Sequence, residues 1–121
     1  MKMIISIIRM AKMNETKKAL LDVGLSSFMA SGEVQGRGKG LGVGPTFEKN
    51  KQNPDYVHVE HKLKTKRMIT MYVTDDKVDL AVQTIIKVNQ TGNSGDGKIF
   101  LLPATDAVQI RTGDSGDKVL D

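Results

Sequence analysis

The stretch DDKVDLAVQTIIKVNQTGNSGDGKIFLL, residues 75–102, decides how this chain folds. Val78, Ala81, Val82, Ile85 and Ile86 fall at i, i+3, i+4, i+7 and i+8, the apolar stripe of a helix lying on a core. Asp75 or Asp76 can cap its start, and Gly92 can stop it. After the glycines, Lys98 to Leu102 reads as a short strand. Upstream, Val57, Val59, Leu63, Ile69, Met71 and Val73 share one parity, and His58, Glu60, Lys62, Lys64 and Lys66 take the other. That pattern predicts one long half-buried strand from Val57 to Val73.

Further upstream, Met3 to Ile8 is nearly all apolar, as in a strand near the middle of a sheet that is covered on both faces. Met13, Thr16, Ala19, Leu20 and Val23 recur at helical spacing, with Asn14 as a candidate cap and Gly24 at the stop. A strand is expected from about Phe28 to Gln35, where Ser31 and Gly32 mark a bulge. Another is expected from about Ala107 to Ile110, before an irregular tail, RTGDSGDKVLD. The order strand, helix, strand, strand, helix, strand describes an α+β, ferredoxin-like βαββαβ sandwich, with both helices on one face of an antiparallel sheet. Its other face must also be buried, and oligomerisation would bury it.

A chain of 121 residues, 39% hydrophobic and 26% charged, fits one domain, residues 1–121. With three Phe, two Tyr and no Trp, the core must be built from Ile, Val and Leu, with seven Met filling gaps. The lack of Cys excludes disulfides, thiolate metal sites and a cysteine nucleophile, and suits a reducing, cytoplasmic location. Arg9 ends the apolar opening MKMIISIIRM before it could serve as a signal segment. No apolar run reaches the roughly 18 to 20 residues of a membrane span, so membrane insertion is not expected. A net charge of +4 suits an anionic small molecule, an acidic protein surface or weak nucleic-acid contact, without ranking them.

The segment GNSGDGK, Gly92 to Lys98, has the spacing of a Walker A loop. However, Ile99 stands where a Mg-binding Ser or Thr is needed, and the order helix, loop, strand is reversed. The physics survives the mismatch, because Gly95 and Gly97 let backbone N–H groups approach an anion and Lys98 adds a charge. Gly36, Gly38 and Gly40, interleaved with Arg37 and Lys39, offer a second anion-facing surface at the root of a long loop. That loop, GRGKGLGVGPTFEKNKQNP from Gly36 to Pro54, shows no helical or strand period and reads as a partner-binding arm. His58 and His61 point to opposite faces of a strand and cannot share a metal. Nothing assembles a catalytic constellation, so binding is expected rather than turnover, with no catalytic or metal residues.

ALLDVG at 19–24, TIIKVNQTGNSGDGKIFLLP at 84–103 and VQIRTGDSG at 108–116 resemble the PII signal-transduction proteins over nearly the whole chain. Thr91 to Phe100 and Ile110 to Gly113 carry the most specific part of the likeness. The resemblance implies a trimer with a T-loop at about 37–56, a B-loop at about 91–98 and a C-loop and tail at about 109–121. It implies binding of ATP or ADP between subunits and sensing of 2-oxoglutarate, leaving room for Mg. Nucleotide would be held by Gly36, Arg37, Gly38, Lys39, Gly95, Asp96, Gly97 and Lys98, with Arg111 from a neighbouring subunit. Lys66 and Gly40 would serve 2-oxoglutarate. Two departures stand out: Gly40 replaces the family's usual Gln, and Gln109 replaces a C-loop arginine.

The T-loop lacks the RGAEY-type segment of uridylylated relatives. Its length and its GRGK opening are similar to the branch encoded in nitrogen-fixation operons, in particular the second member of the archaeal pair. That likeness implies repression of nitrogenase through its dinitrogenase component, as a homotrimer or as a hetero-oligomer with a second PII-like protein. Control of an ammonium transporter or glutamine synthetase is the alternative within the family. A ferredoxin-like RNA-binding module is the alternative outside it, opposed by the few aromatics available for stacking on the strands, so no nucleic-acid partner is expected.

Overall fold

The structure, a computed structural model, describes residues 1–36, 45–49, 57–61 and 63–120, the segments 45–49 and 57–61 by backbone alone. Strands β1 (Lys2–Arg9), β2 (Met29–Gly36), β5 (Lys64–Val73) and β6 (Lys98–Pro103) form one antiparallel sheet in the order β2-β5-β1-β6. Helices α1 (Met13–Asp22) and α2 (Val78–Asn89) pack against it, which is the α+β, ferredoxin-like arrangement. Among the described residues no helix is long and apolar enough to cross a membrane.

Strand β1 lies between β5 and β6, as its apolar run predicts. The helices cover one side only. Ile4, Ser6 and Ile8 are buried toward the helices, whereas Met3, Ile5 and Ile7 are half-buried on the opposite face. Ile4 and Ile8 share one core with Ile69, Met71 and Val73 of β5, Met13 and Leu20 of α1, and Ala81 and Ile85 of α2. The seven methionines do not all fill this core, since Met29 and Met10 are exposed.

Helix α1 ends as expected. Gly24 takes φ 83°, its N–H donates to Leu21 at 3.0 Å, and the Leu25 N–H donates to Leu20 at 2.9 Å. This is the paired closure of a left-handed glycine cap, with Leu20 and Leu25 both buried. The helix starts differ from the sequence reading. Single 3₁₀ turns, Met10–Lys12 and Asp75–Lys77, precede the helices, and Lys12 and Lys77 occupy the caps without side-chain bonds. Asn14 therefore lies inside α1, and Asp75 pairs with the N-terminal ammonium at 3.2 Å. Helix α2 stops at Asn89 because Gln90 is already extended, and Gly92 belongs to the following loop.

Three strand expectations are corrected. The pattern from Val57 to Val73 is divided between β4 (Val57–His61) and β5, with Leu63 exposed between them. Alternation continues across the break, but 64–67 is KTKR, with no apolar side chain for a core to hold. Within the supposed irregular loop, β3 (Pro45–Lys49) pairs antiparallel with β4 in a separate two-stranded sheet. Residues 107–110 form no strand. Val108 makes a single bridge to Ser115, and Ile110 is fully exposed, so the segment folds back on its own tail instead of joining the sheet. The bulge in β2 appears where expected, as a register shift between Ala30 and Glu33.

Candidate functional site

The rows of side chains on the helix-free face converge on one end of the sheet. Ile7 lies opposite both Met68 and Lys98, and the next row places Arg9 opposite Lys66. Lys98, Lys66 and Arg9 therefore share this face, and the glycine loop joining α2 to β6 folds over the same end. Gly36, at the end of β2, pairs with Lys64, so the long loop leaves the sheet one row from Lys66.

Asp96 organises the loop from within. Its Oδ1 accepts from the Thr91 hydroxyl at 2.5 Å and from Arg9 at 2.5 Å. Its Oδ2 accepts the N–H of Thr91 at 2.7 Å and of Gly92 at 3.0 Å. These donors hold the carboxyl far below the usual carboxylate range; the Thr91 hydroxyl contributes most, then the Thr91 N–H, with smaller help from Arg9 and Gly92 against desolvation. Arg9 also donates to the Ser94 carbonyl at 3.0 Å, and Lys66 donates to the Gly95 carbonyl at 2.6 Å. Two cations thus hold the loop carbonyls of Ser94 and Gly95 against the end of the sheet. Among the described residues nothing accepts the N–H of Ser94 or Gly95, while the turn at 94–95 brings the Asp96 N–H to the Asn93 carbonyl.

The glycines are required where they stand. Gly97 has φ 114°, and a Cβ there would sit 1.9 Å from the Ile7 carbonyl oxygen. Gly95 has φ 97°, and a Cβ there would meet Arg9 Nη2 at 3.3 Å and Lys66 Nζ at 3.6 Å. Lys66 is pushed below the ordinary lysine value, first by desolvation and then by Arg9 and Lys64, with Asp96 opposing. The unpaired N–H groups of Ser94 and Gly95 beside Arg9, Lys66 and Lys98 suit a multiply charged oxyanion such as a phosphate or carboxylate.

Of the residues singled out from the sequence, Gly95, Asp96, Gly97, Lys98 and Lys66 come together here, with Gly36 at the margin. Asp96 faces the loop's own donors. Arg111 is exposed in the turn closed by the Gly113 N–H on the Gln109 carbonyl at 2.7 Å, and no hydrogen bond or ion pair joins it to the glycine loop of its own chain. Arg37, Gly38, Lys39 and Gly40 lie outside the described residues. Sequence reading missed Arg9, which it used only as the end of an apolar run, and Thr91. The pairing of Arg9 with Lys66 follows from sheet register, which local pattern does not contain.

Fold and site together define a ferredoxin-like domain that carries a glycine loop, flanked by Arg9, Lys66 and Lys98, at the ends of its central strands. The family model described as nitrogen regulatory protein P-II matches residues 1–114, and the chain belongs to that family. It is 43% identical over 122 residues to "Nitrogen fixation nifHD region GlnB-like protein 2" of Methanobacterium ivanovii, covering 99% of each chain. It is 36% identical over 120 residues to "Nitrogen regulatory protein P-II" of Klebsiella oxytoca, covering 99% of this chain and 100% of the other. Among solved structures, Arabidopsis thaliana PII bound to citrate superposes with a TM-score of 0.73 at 28% identity, covering 98% of this chain and 88% of that one.

Proposed function

We propose that the protein senses ATP or ADP together with 2-oxoglutarate and represses nitrogenase by direct binding, acting as a trimer or beside a second PII-like subunit. The observation that carries the sensing part is the loop at 91–98, whose unpaired Ser94 and Gly95 N–H groups belong to a turn anchored by Arg9 and Lys66 and followed by Lys98. Phosphates would lie on the loop N–H groups and Lys98, with Arg111 contributed by a neighbouring subunit. A carboxylate would pair with Lys66, whose desolvated ammonium gains most from an anionic partner. The citrate-bound state of the Arabidopsis relative supports a carboxylate ligand for this family. The nitrogenase target rests on the nifHD-region names of the methanogen relatives.

A reconstituted nitrogenase assay tests this reading, run with the purified chain alone and with its paired subunit. Inhibition should appear without 2-oxoglutarate and be relieved by ATP plus 2-oxoglutarate. Lys98→Ala should weaken ATP binding roughly tenfold by calorimetry, the scale of one charge-assisted hydrogen bond. Unrelieved inhibition would sink the sensing role, and no inhibition in either combination would sink the nitrogenase role.

A further inference from the structure

We propose that Asn89 is a positioning residue for the 91–98 loop, holding it in register with the helix layer through Thr16. The inference rests on the reading of that loop as the nucleotide site. Position 89 continues the buried stripe of α2, where an apolar residue is the default, and Asn89 is 5% exposed. Its Nδ2 donates to Thr16 Oγ1 at 3.0 Å and to the Ile85 carbonyl at 2.9 Å. Thr16, fully buried on α1, donates in turn to the Lys12 carbonyl at 2.7 Å. The two helices are thereby bolted at the point where α2 gives way to the loop.

The arrangement carries a cost. Asn89 Oδ1 is buried with no hydrogen-bond partner, which leucine in its place would avoid. Departures of this kind concentrate where function, rather than stability, sets the residue. Asn89 is the last helical residue, Gln90 is extended at φ −73° and ψ 116°, and Thr91 already donates to Asp96. With two steps between the bolt and the loop's first anchor, movement of the helix end would shift Thr91 against Asp96 and Arg9. Asn89 also shares the walls of a groove of about 470 Å³ with Asp96, Gly97 and Lys98, so the bolt and the loop lie side by side. A ligand cradle built from backbone N–H groups needs its supports fixed to about half an ångström, and this bolt supplies the one from the helix layer.

Asn89→Leu in the full chain tests the proposal, since leucine keeps the branched outline and removes both the bolt and the orphan acceptor. Three quantities are read: melting temperature, hydrogen exchange at the Thr91 and Gly92 amides, and calorimetric ATP affinity. The melting temperature should hold or rise, exchange at both amides should accelerate, and affinity should fall roughly fivefold to tenfold. Thr16→Val should act in the same direction, and the double variant should be no worse than Asn89→Leu alone. Should Asn89→Leu fail to fold, Thr16→Val decides by the same exchange readout, because Asn89 keeps its bond to Ile85. Unchanged exchange at Thr91 and Gly92 overturns the proposal, as does an affinity loss that only tracks a lower melting temperature. Accelerated exchange in a protein whose wild type takes up no ATP upholds the positioning role and rejects the nucleotide reading.

Discussion

Lys66 Nζ donates to the Gly95 carbonyl at 2.6 Å, so the cation at the end of β5 already holds the glycine loop that leads into β6. An anion that recruits Lys66 must compete with that carbonyl, and a ligand that reshapes the loop must alter the anion's partner. Two ligands sharing one bond are coupled, and the coupling is reciprocal. In the wild type, 2-oxoglutarate should change ATP affinity by the factor by which ATP changes 2-oxoglutarate affinity, about 5- to 150-fold. Lys66→Met should bring that factor close to one while leaving ATP binding measurable. Calorimetric titrations in both orders check this, and a retained factor would place the coupling elsewhere.

Asp96 supplies a pH dependence of defined sign. Its folded-state pKa lies below the unfolded value, so its contribution is present above about pH 4 and fades as pH falls toward the folded pKa. Asp96→Asn should therefore lower the melting temperature at pH 7, and the gap from wild type should narrow steadily below about pH 4. Melts in matched buffers from pH 7 to pH 2 measure it. A gap constant with pH would mean the carboxylate's charge does not hold the loop.

The glycines of the loop should not be equivalent. Gly92 has φ 83° with open space where a Cβ would point, so Gly92→Ala carries backbone strain alone, about 1 to 2 kcal/mol. Gly97→Ala adds a 1.9 Å clash with the Ile7 carbonyl, which belongs to the central strand and cannot step aside cheaply. Urea denaturation should rank Gly97→Ala as the more destabilising by at least about 1 kcal/mol.

How much of this was legible depends on how far each contact reaches along the chain. Both helices were readable because Ala81, Ile85, Thr16 and Leu20 follow a 3.6-residue period imposed by one core. The end of α1 was readable because its glycine cap is local. The partner change between β4 and β5 was hidden, since period-two alternation records which way side chains point and not which strand they pair with. Val108 and Ile110 mimic a strand in composition yet stay exposed. Arg9 reaches Asp96 across 87 positions and Asn89 reaches Thr16 across 73, so neither role is visible in any local pattern.

The helix-free face of the sheet predicts assembly. Met29, Thr70, Ile5 and Phe100 form one row across all four strands, with Met3, Tyr72 and Leu102 in the next. Phe100 is 47% exposed on the single chain, a large apolar side chain facing water on a surface continuous with Ile5 and Ile7. Phe100→Glu should convert a trimer to monomer in light scattering and remove ATP binding with it, if Arg111 of a neighbour completes the site. ATP binding by a monomeric variant would show that one chain suffices.

The last prediction separates sensing from output. Strands β3 and β4 form a sheet of their own, and among the described residues no strand of the four-stranded sheet pairs with either. Deleting Leu41 to Gln52 removes β3 while leaving β1, β2, β5, β6 and the 91–98 loop in sequence and register. The trimer and ATP affinity should then be retained to within about threefold, below the roughly 1 kcal/mol scale of a single lost hydrogen bond. On the proposed function, nitrogenase inhibition should disappear, because the segment proposed to reach the target is gone while the proposed sensing site is kept. Acetylene reduction in the reconstituted system measures this, and continued repression by the deletion protein would move the inhibitory surface onto the four-stranded core.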